Sequence, residues 1–229
     1  MEKTVINKIN KNEILSLIRA AIDEDLGGYG DITSRLTIAP GNHSSAFIIC
    51  KEKNGAVLSG LDVAGYVFEE MSPLIKFEKL REDGQKLKCF DIICRLNGPT
   101  RAILSAERLA LNLIQHMSGI ATLTSKFSAI ASKYNVRIAD TRKTKPALRK
   151  LEKYAVVCGG GFNHRFGLFD GILIKDNHII AAGGIKKAVA MARKSMPHQL
   201  KIEVEVKDFE ELNEAVGCRA DIILSLIHI

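Results

Sequence analysis

Apolar residues recur at helical spacing between residues 12 and 26, at Ile14, Leu17, Ile18, Ala21 and Ile22, which predicts an amphipathic helix. The glycines of GGYGDITS end it. From about residue 44 to 100 the pattern shortens. SSAFIIC, GAVLSG, LIKFEKL and LKCFDIICRL read as strands, with a helix at DVAGYVFEEM between them, which predicts a small α+β domain of antiparallel strands. A long helix is expected from about Ser105 to Tyr134, with Ser105 as its cap and Leu109, Leu113, Ile114 and Met117 on one face. Gly119 is the place for a bend or a split.

Beyond that helix the pattern alternates. VRIAD, GILIKD, IEVEV and ADIIL read as strands, and PALRKLEKYAVVC, GIKKAVAMARKSM and DFEELNEAVG as the helices between them. Pro146 is expected in the first turn of the first of these helices and Gly159 at its end. Asp208 caps the third, with Glu211 three residues on. Strand–helix repetition of this kind implies a parallel sheet, so the fold class is α/β.

Composition narrows the partners. The net charge of the 229-residue chain is +7, which suits an anionic ligand, either nucleic acid or a small, highly charged molecule. The chain has no Trp and few aromatics, which weakens a base-stacking role. Five cysteines, Cys50, Cys89, Cys94, Cys158 and Cys218, form no CxxC, so neither a disulfide framework nor a zinc site is expected and a reducing, cytoplasmic setting is. No signal peptide and no membrane span are expected.

In parallel α/β folds, chemistry gathers at the C-terminal ends of strands. After VRIAD come Thr141, Arg142 and Lys143; after GILI come Lys175, Asp176, Asn177 and His178. GGGFNHRFG carries His164 and Arg165 between the first two units, and alternation along IEVEV puts Glu203 and Glu205 on one face. Singly, each has an ordinary reading: solvated loop charges, a helix-stopping glycine run, a histidine that caps a turn, one exposed strand face. Together they fall at one rim. Arg and Lys there suit a carboxylate or phosphate, and the carboxylates suit Mg²⁺ or sugar hydroxyls.

At these residues the sequence closely resembles the quinolinate phosphoribosyltransferase family. EDLGGYGDITS, AERLALNLIQHMSGIAT, DTRKTKPALRKLEKYAVVCGGGFNHRFGLFDGILIKDNHI and IEVEV carry the resemblance, from Glu24 to about Ile223. It implies an N-terminal α+β domain, placed here at residues 1–113, and an open α/β barrel of about six parallel strands, placed at 114–229, in a homodimer. The implied reaction joins quinolinate to 5-phosphoribosyl 1-pyrophosphate with Mg²⁺, giving nicotinate mononucleotide, pyrophosphate and CO₂ in NAD biosynthesis. By motif, Arg142, His164, Arg165 and Lys175 would form the cationic quinolinate pocket. Arg108 would reach in from the partner subunit, and Thr141 and Lys143 would lie at the substrates. Glu205 would act at the ribose or its Mg²⁺. Lys143, Lys175 and Glu205 are the candidate catalytic residues.

The chain departs from the family at three places. Phe90 stands where the family often has Gly, and Ala147 where Gly is common. Leu226 stands where a Leu-Asp-Asn motif would place an Asp beside Glu205. The SLIHI ending does not continue the family pattern, so residues from about 224 to 229 are expected to be non-native and the barrel to be cut short, leaving an inactive fragment with an exposed edge. Two other readings compete: a molybdenum-transport-associated paralogue of the same fold, and a non-enzymatic polyanion or nucleic-acid binder.

Overall fold

The computed structural model describes residues 6–228. Its packing divides the chain into two compact units, one running to His164 and the other from Arg165.

The first unit opens with α1 (Leu15–Leu26), after a 3₁₀ turn at Lys11–Glu13, and the short α2 (Ile32–Thr37). The GDITS motif works locally: Gly30 takes a left-handed backbone, and the Asp31 carboxylate caps α2 by accepting from the Ser34 N–H at 2.9 Å. These bonds hold the Asp31 carboxyl below its usual range. Strands β1 (His43–Ile49), β3 (Lys76–Lys79) and β5 (Ile92–Pro99) form an antiparallel sheet in the order β1-β5-β3. β2 (Ala56–Val57) pairs with β4 (Lys86–Leu87). α3 (Leu61–Met71) buries Leu61, Val63, Ala64, Val67 and Phe68 against this framework.

The long helix α4 spans Thr100–Ala131, with a 3₁₀ turn at Ser132–Tyr134. It begins five residues before the expected start, so Ser105 is not its cap. The Ser105 hydroxyl instead donates to Asp31 Oδ2 at 3.1 Å and to the Arg101 carbonyl at 2.9 Å, tying α4 to the α2 cap. Gly119 does not split the helix, because the buried stripe of Ala110, Ile114, Met117 and Ala121 carries it past that point.

α5 covers Arg149–Cys158. It starts later than the sequence implies because Ala147 has φ +64°, a conformation no helix contains, so Pro146 lies in the preceding turn. Phe90 likewise has φ +68°. Both residues therefore occupy left-handed backbone, where a glycine would carry no Cβ penalty. The predicted VRIAD strand is reduced to one parallel bridge, Ala139 to Phe162. At Gly159, α5 ends as expected. An added Cβ there would lie 2.4 Å from the Ala121 carbonyl, and one at Gly161 would lie 2.7 Å from Val156. The glycine run thus stops α5 and lets the chain pass close to α4.

One half-buried carboxylate ties α3 to α5. Asp83 accepts from the N–H groups of Gly60 and Leu61, each at 3.0 Å, and from the Tyr154 hydroxyl at 2.8 Å. Burial pushes its carboxyl above the usual range, with the bonds from Leu61, Tyr154 and Gly60 acting the other way.

The second unit is a strand–helix repeat: β6 (Ile172–Ile174), α6 (Asp176–Ala182), α7 (Ile185–Ser195), β7 (Ile202–Val206), α8 (Phe209–Gly217) and β8 (Ile222–Ser225). The three strands are parallel in the order β6-β7-β8. Ile202, Val204 and Val206 are fully buried with Ile174, Ile185, Val189 and Ala215. That leaves Glu203 and Glu205 on the opposite sheet face, as the alternation predicts. Asp208 caps α8, accepting from Glu211 N–H at 2.8 Å, while Glu211 reaches back to the Lys207 N–H at 3.0 Å, one residue ahead of the cap.

Candidate active site

Each unit carries cationic groups of its own, fixed by local geometry. In the first unit, Thr141, Arg142 and Lys143 follow the Ala139 bridge. The Thr141 hydroxyl accepts from the Lys143 N–H at 3.0 Å, which turns the chain tightly. The loop is anchored from α5: Arg149 Nε donates to Thr144 Oγ1 at 3.0 Å, and the Lys145 N–H donates to Glu152 Oε2 at 3.2 Å. Glu152 is held in turn by His116 of α4, at 2.9 Å. Lys143 is exposed, and Arg142 is half-buried with its Nε lacking a protein acceptor among the described residues.

The root of this loop is a buried ion pair. Lys153 is only 3% exposed, and its ammonium donates to Asp140 Oδ1 at 2.5 Å and to the His164 carbonyl at 3.0 Å. Asp140 Oδ1 also accepts the His164 N–H at 2.8 Å. Asn163, with its amide nitrogen turned inward, donates to Asp140 Oδ2 at 2.6 Å and to the Lys153 carbonyl at 3.0 Å. Sequence reasoning did not single out Asp140, Glu152, Lys153 or Asn163. Lys153 falls about 200° around the helix from Leu151 at 100° per residue, on the side where a lysine is ordinarily solvated. Its presence in a helix flanked by strand-end charges was the available signal.

In the second unit, Arg165 lies beside Gly171, whose missing side chain makes room for it: an added Cβ would be 3.2 Å from Arg165 Cβ. One terminal nitrogen donates to the Gly171 carbonyl at 2.9 Å, while Nε is buried without a protein acceptor among the described residues. Asp170 pins the following turn by accepting from the N–H groups of Phe166 and Gly167 at 2.6 and 2.7 Å. Lys175 and Glu205 meet at 3.2 Å. Parallel pairing of Ile174 with Val204 dictates this contact, because the next residue on each chain is Lys175 and Glu205. Glu203 is buried one pleat back on the same face. His178 accepts the Lys175 N–H through Nδ1 at 3.0 Å, so it caps α6. Leu226 follows β8 and donates its N–H to the Val206 carbonyl at 2.8 Å.

Within the first unit the structure thus brings Thr141, Arg142 and Lys143 onto one braced loop whose root it shares with His164; within the second it joins Lys175 to Glu205. Arg108 lies on the exposed face of α4 and is not drawn into either group.

Known proteins match the sequence and the fold of the chain. A profile described as the N-terminal domain of quinolinate phosphoribosyl transferase matches residues 31–118, and one for its C-terminal domain matches residues 120–225. A probable nicotinate-nucleotide pyrophosphorylase [carboxylating] of Bacillus subtilis is 41% identical over 94% of this chain and 73% of its own length. The protein of the same description from Methanocaldococcus jannaschii is 44% identical over 93% and 74%. The solved nicotinate-nucleotide pyrophosphorylase from Francisella tularensis superposes with a TM-score of 0.89 at 44% identity, covering 97% of this chain and 77% of that one. By sequence and by fold, the chain belongs to the quinolinate phosphoribosyltransferase family.

Proposed function

We propose that this protein transfers the phosphoribosyl group of 5-phosphoribosyl 1-pyrophosphate to quinolinate and releases pyrophosphate and CO₂, forming nicotinate mononucleotide for NAD biosynthesis. It is a pentosyltransferase. The observation that carries the reading is the gathering of Arg142 and Lys143 on one braced loop and of Arg165 and Lys175 beside the strand ends of the second unit, in a chain of this family. Quinolinate offers two carboxylates, and a guanidinium grips a carboxylate through parallel hydrogen bonds.

Arg142, His164, Arg165 and Lys175 are assigned to the pyridine dicarboxylate, with Arg108 entering from a second copy of the chain to complete a homodimer. Thr141 and Lys143 face the pyrophosphate-bearing sugar. Their loop is braced by Glu152 and Arg149, which supports a role that needs fixed geometry. The chemistry is electrostatic. Departure of pyrophosphate leaves the anomeric carbon electron-poor, and the pyridine nitrogen forms its bond there. The adjacent carboxylate then leaves as CO₂, and its electron pair stays on the ring carbon beside the cationic nitrogen until a proton replaces it. Cations around both carboxylates favour the charge that develops, and no covalent nucleophile is needed.

Magnesium fits the donor set. Among the described residues no three metal-ligating side chains gather, and Glu205 offers one carboxylate, held by Lys175. Mg²⁺ commonly takes one or two carboxylates and completes its shell with water and phosphate oxygens. Glu205 would hold it directly or through water, and when bound it neutralises the pyrophosphate charge.

The test is formation of nicotinate mononucleotide from the two substrates and Mg²⁺, with each omitted in turn. Product formed with nicotinate as readily as with quinolinate would contradict the reading, because the second carboxylate would then have no use.

A further inference from the structure

The buried ion pair has no direct role in the scheme above, yet it is expensive to maintain. Taking an ammonium out of water is costly, and an apolar residue in its place is often as stable or more so. Position suggests what it does. Asp140 immediately precedes Thr141, and His164 immediately precedes Arg165. Lys153 bonds the Asp140 carboxylate and the His164 carbonyl, while Asp140 bonds the His164 N–H. Both polar backbone groups of His164 are therefore held by this one pair.

We infer that Lys153 is a positioning residue for quinolinate binding: paired with Asp140, it fixes the backbone of His164 and so the direction of its side chain. This rests on the assignment of His164 to the quinolinate pocket. The Thr141–Lys145 loop has its own braces, from Arg149 and Glu152. Loss of Lys153 therefore falls mainly on His164, and the consequence is selective for one substrate. A uniformly structural residue would not discriminate between them.

The decisive variant is the neutral pair Lys153→Met with Asp140→Asn. It removes both buried charges together and leaves an amide oxygen to accept the His164 N–H, which avoids the unpaired carboxylate that Lys153→Met alone would create. The expected result is a Tm close to that of the parent, a quinolinate KM raised about tenfold, and a phosphoribosyl pyrophosphate KM moved less than about twofold, in line with the sensitivity of bound geometry to small displacements. Lys153→Arg keeps the charge and is expected to recover most of the quinolinate affinity. A folded neutral pair with unchanged quinolinate KM overturns the inference, as does an equal rise in both KM values, and so does a pair that does not fold, which would make Lys153 a folding residue. His164→Ala separates the two levels. If it leaves the quinolinate KM unchanged, the pocket assignment fails and the inference with it. If it raises that KM and the neutral pair does not, the inference alone fails.

Discussion

Exchanging glycine and alanine in opposite directions at two positions should stabilise the protein both times. Gly119 sits in the middle of α4, exposed, and a Cβ built on it meets nothing within 4 Å. Gly119→Ala therefore gains helix propensity at no steric cost, about 1 kcal/mol. Ala147 is also exposed, but its φ is +64°. Left-handed backbone costs a residue with a Cβ roughly 1–2 kcal/mol. Ala147→Gly relieves that cost and returns roughly 0.4–1 kcal/mol through the freer unfolded chain, for a net gain of about 0.5–1 kcal/mol. For a chain of this size 1 kcal/mol corresponds to roughly 2–4 °C in Tm, so both changes are measurable by scanning calorimetry at fixed protein concentration. Ala155→Gly is the control. Ala155 is fully buried in α5, and its replacement should lower Tm by at least the helix-propensity cost. If Ala147→Gly lowers Tm as Ala155→Gly does, the left-handed turn that delays the start of α5 is wrong.

Lys143→Ala, which alters an exposed side chain and leaves the Thr141 turn intact, should keep Tm and cut turnover at least tenfold in steady-state assays; unchanged turnover would remove Lys143 from the reaction. Asp83 has a raised folded-state pKa, so its contribution to stability is complete below the ordinary aspartate value and is lost as pH rises through the folded one. The Tm of Asp83→Asn should therefore gain on the parent as pH rises from about 4, and a difference that stays flat with pH would contradict the assignment. Burial pushes the thiols of Cys94 and Cys158 up to about 12 and about 11. Mass spectrometry after mild alkylation should find both unmodified in the native protein while the half-buried Cys89 and Cys218 react; early labelling of Cys158 would mean that α5 does not pack against its neighbours as described.

Apolar period was enough to place α1, α3, α7, α8 and the parallel strands β6, β7 and β8, because each buries one stripe or face against a single core. It failed where geometry overrode pattern. The alternation in VRIAD matches a strand, but the chain there makes only the Ala139 bridge. The start of α5 is set by the backbone at Ala147, a residue whose type gives no hint of positive φ. The candidate site cations were legible because strand ends concentrate function and because their motifs resemble a known family. Their supports were not. Lys153 lies on the side of α5 that periodicity assigns to water, and only the fold reveals that the segments around Asp140 and His164 cover it. Glu205 and Lys175 meet through strand register, which no pattern of hydrophobicity specifies.

In the proposed reaction, cations around two carboxylates drive phosphoribosyl transfer and decarboxylation as one linked sequence. Its most direct test follows quinolinate labelled in the carboxyl group next to the ring nitrogen and measures labelled CO₂ against pyrophosphate in the same reaction. Equal amounts of the two are expected at every time point, and neither when phosphoribosyl pyrophosphate is withheld. Labelled CO₂ released without the sugar donor, or pyrophosphate released without CO₂, would contradict it.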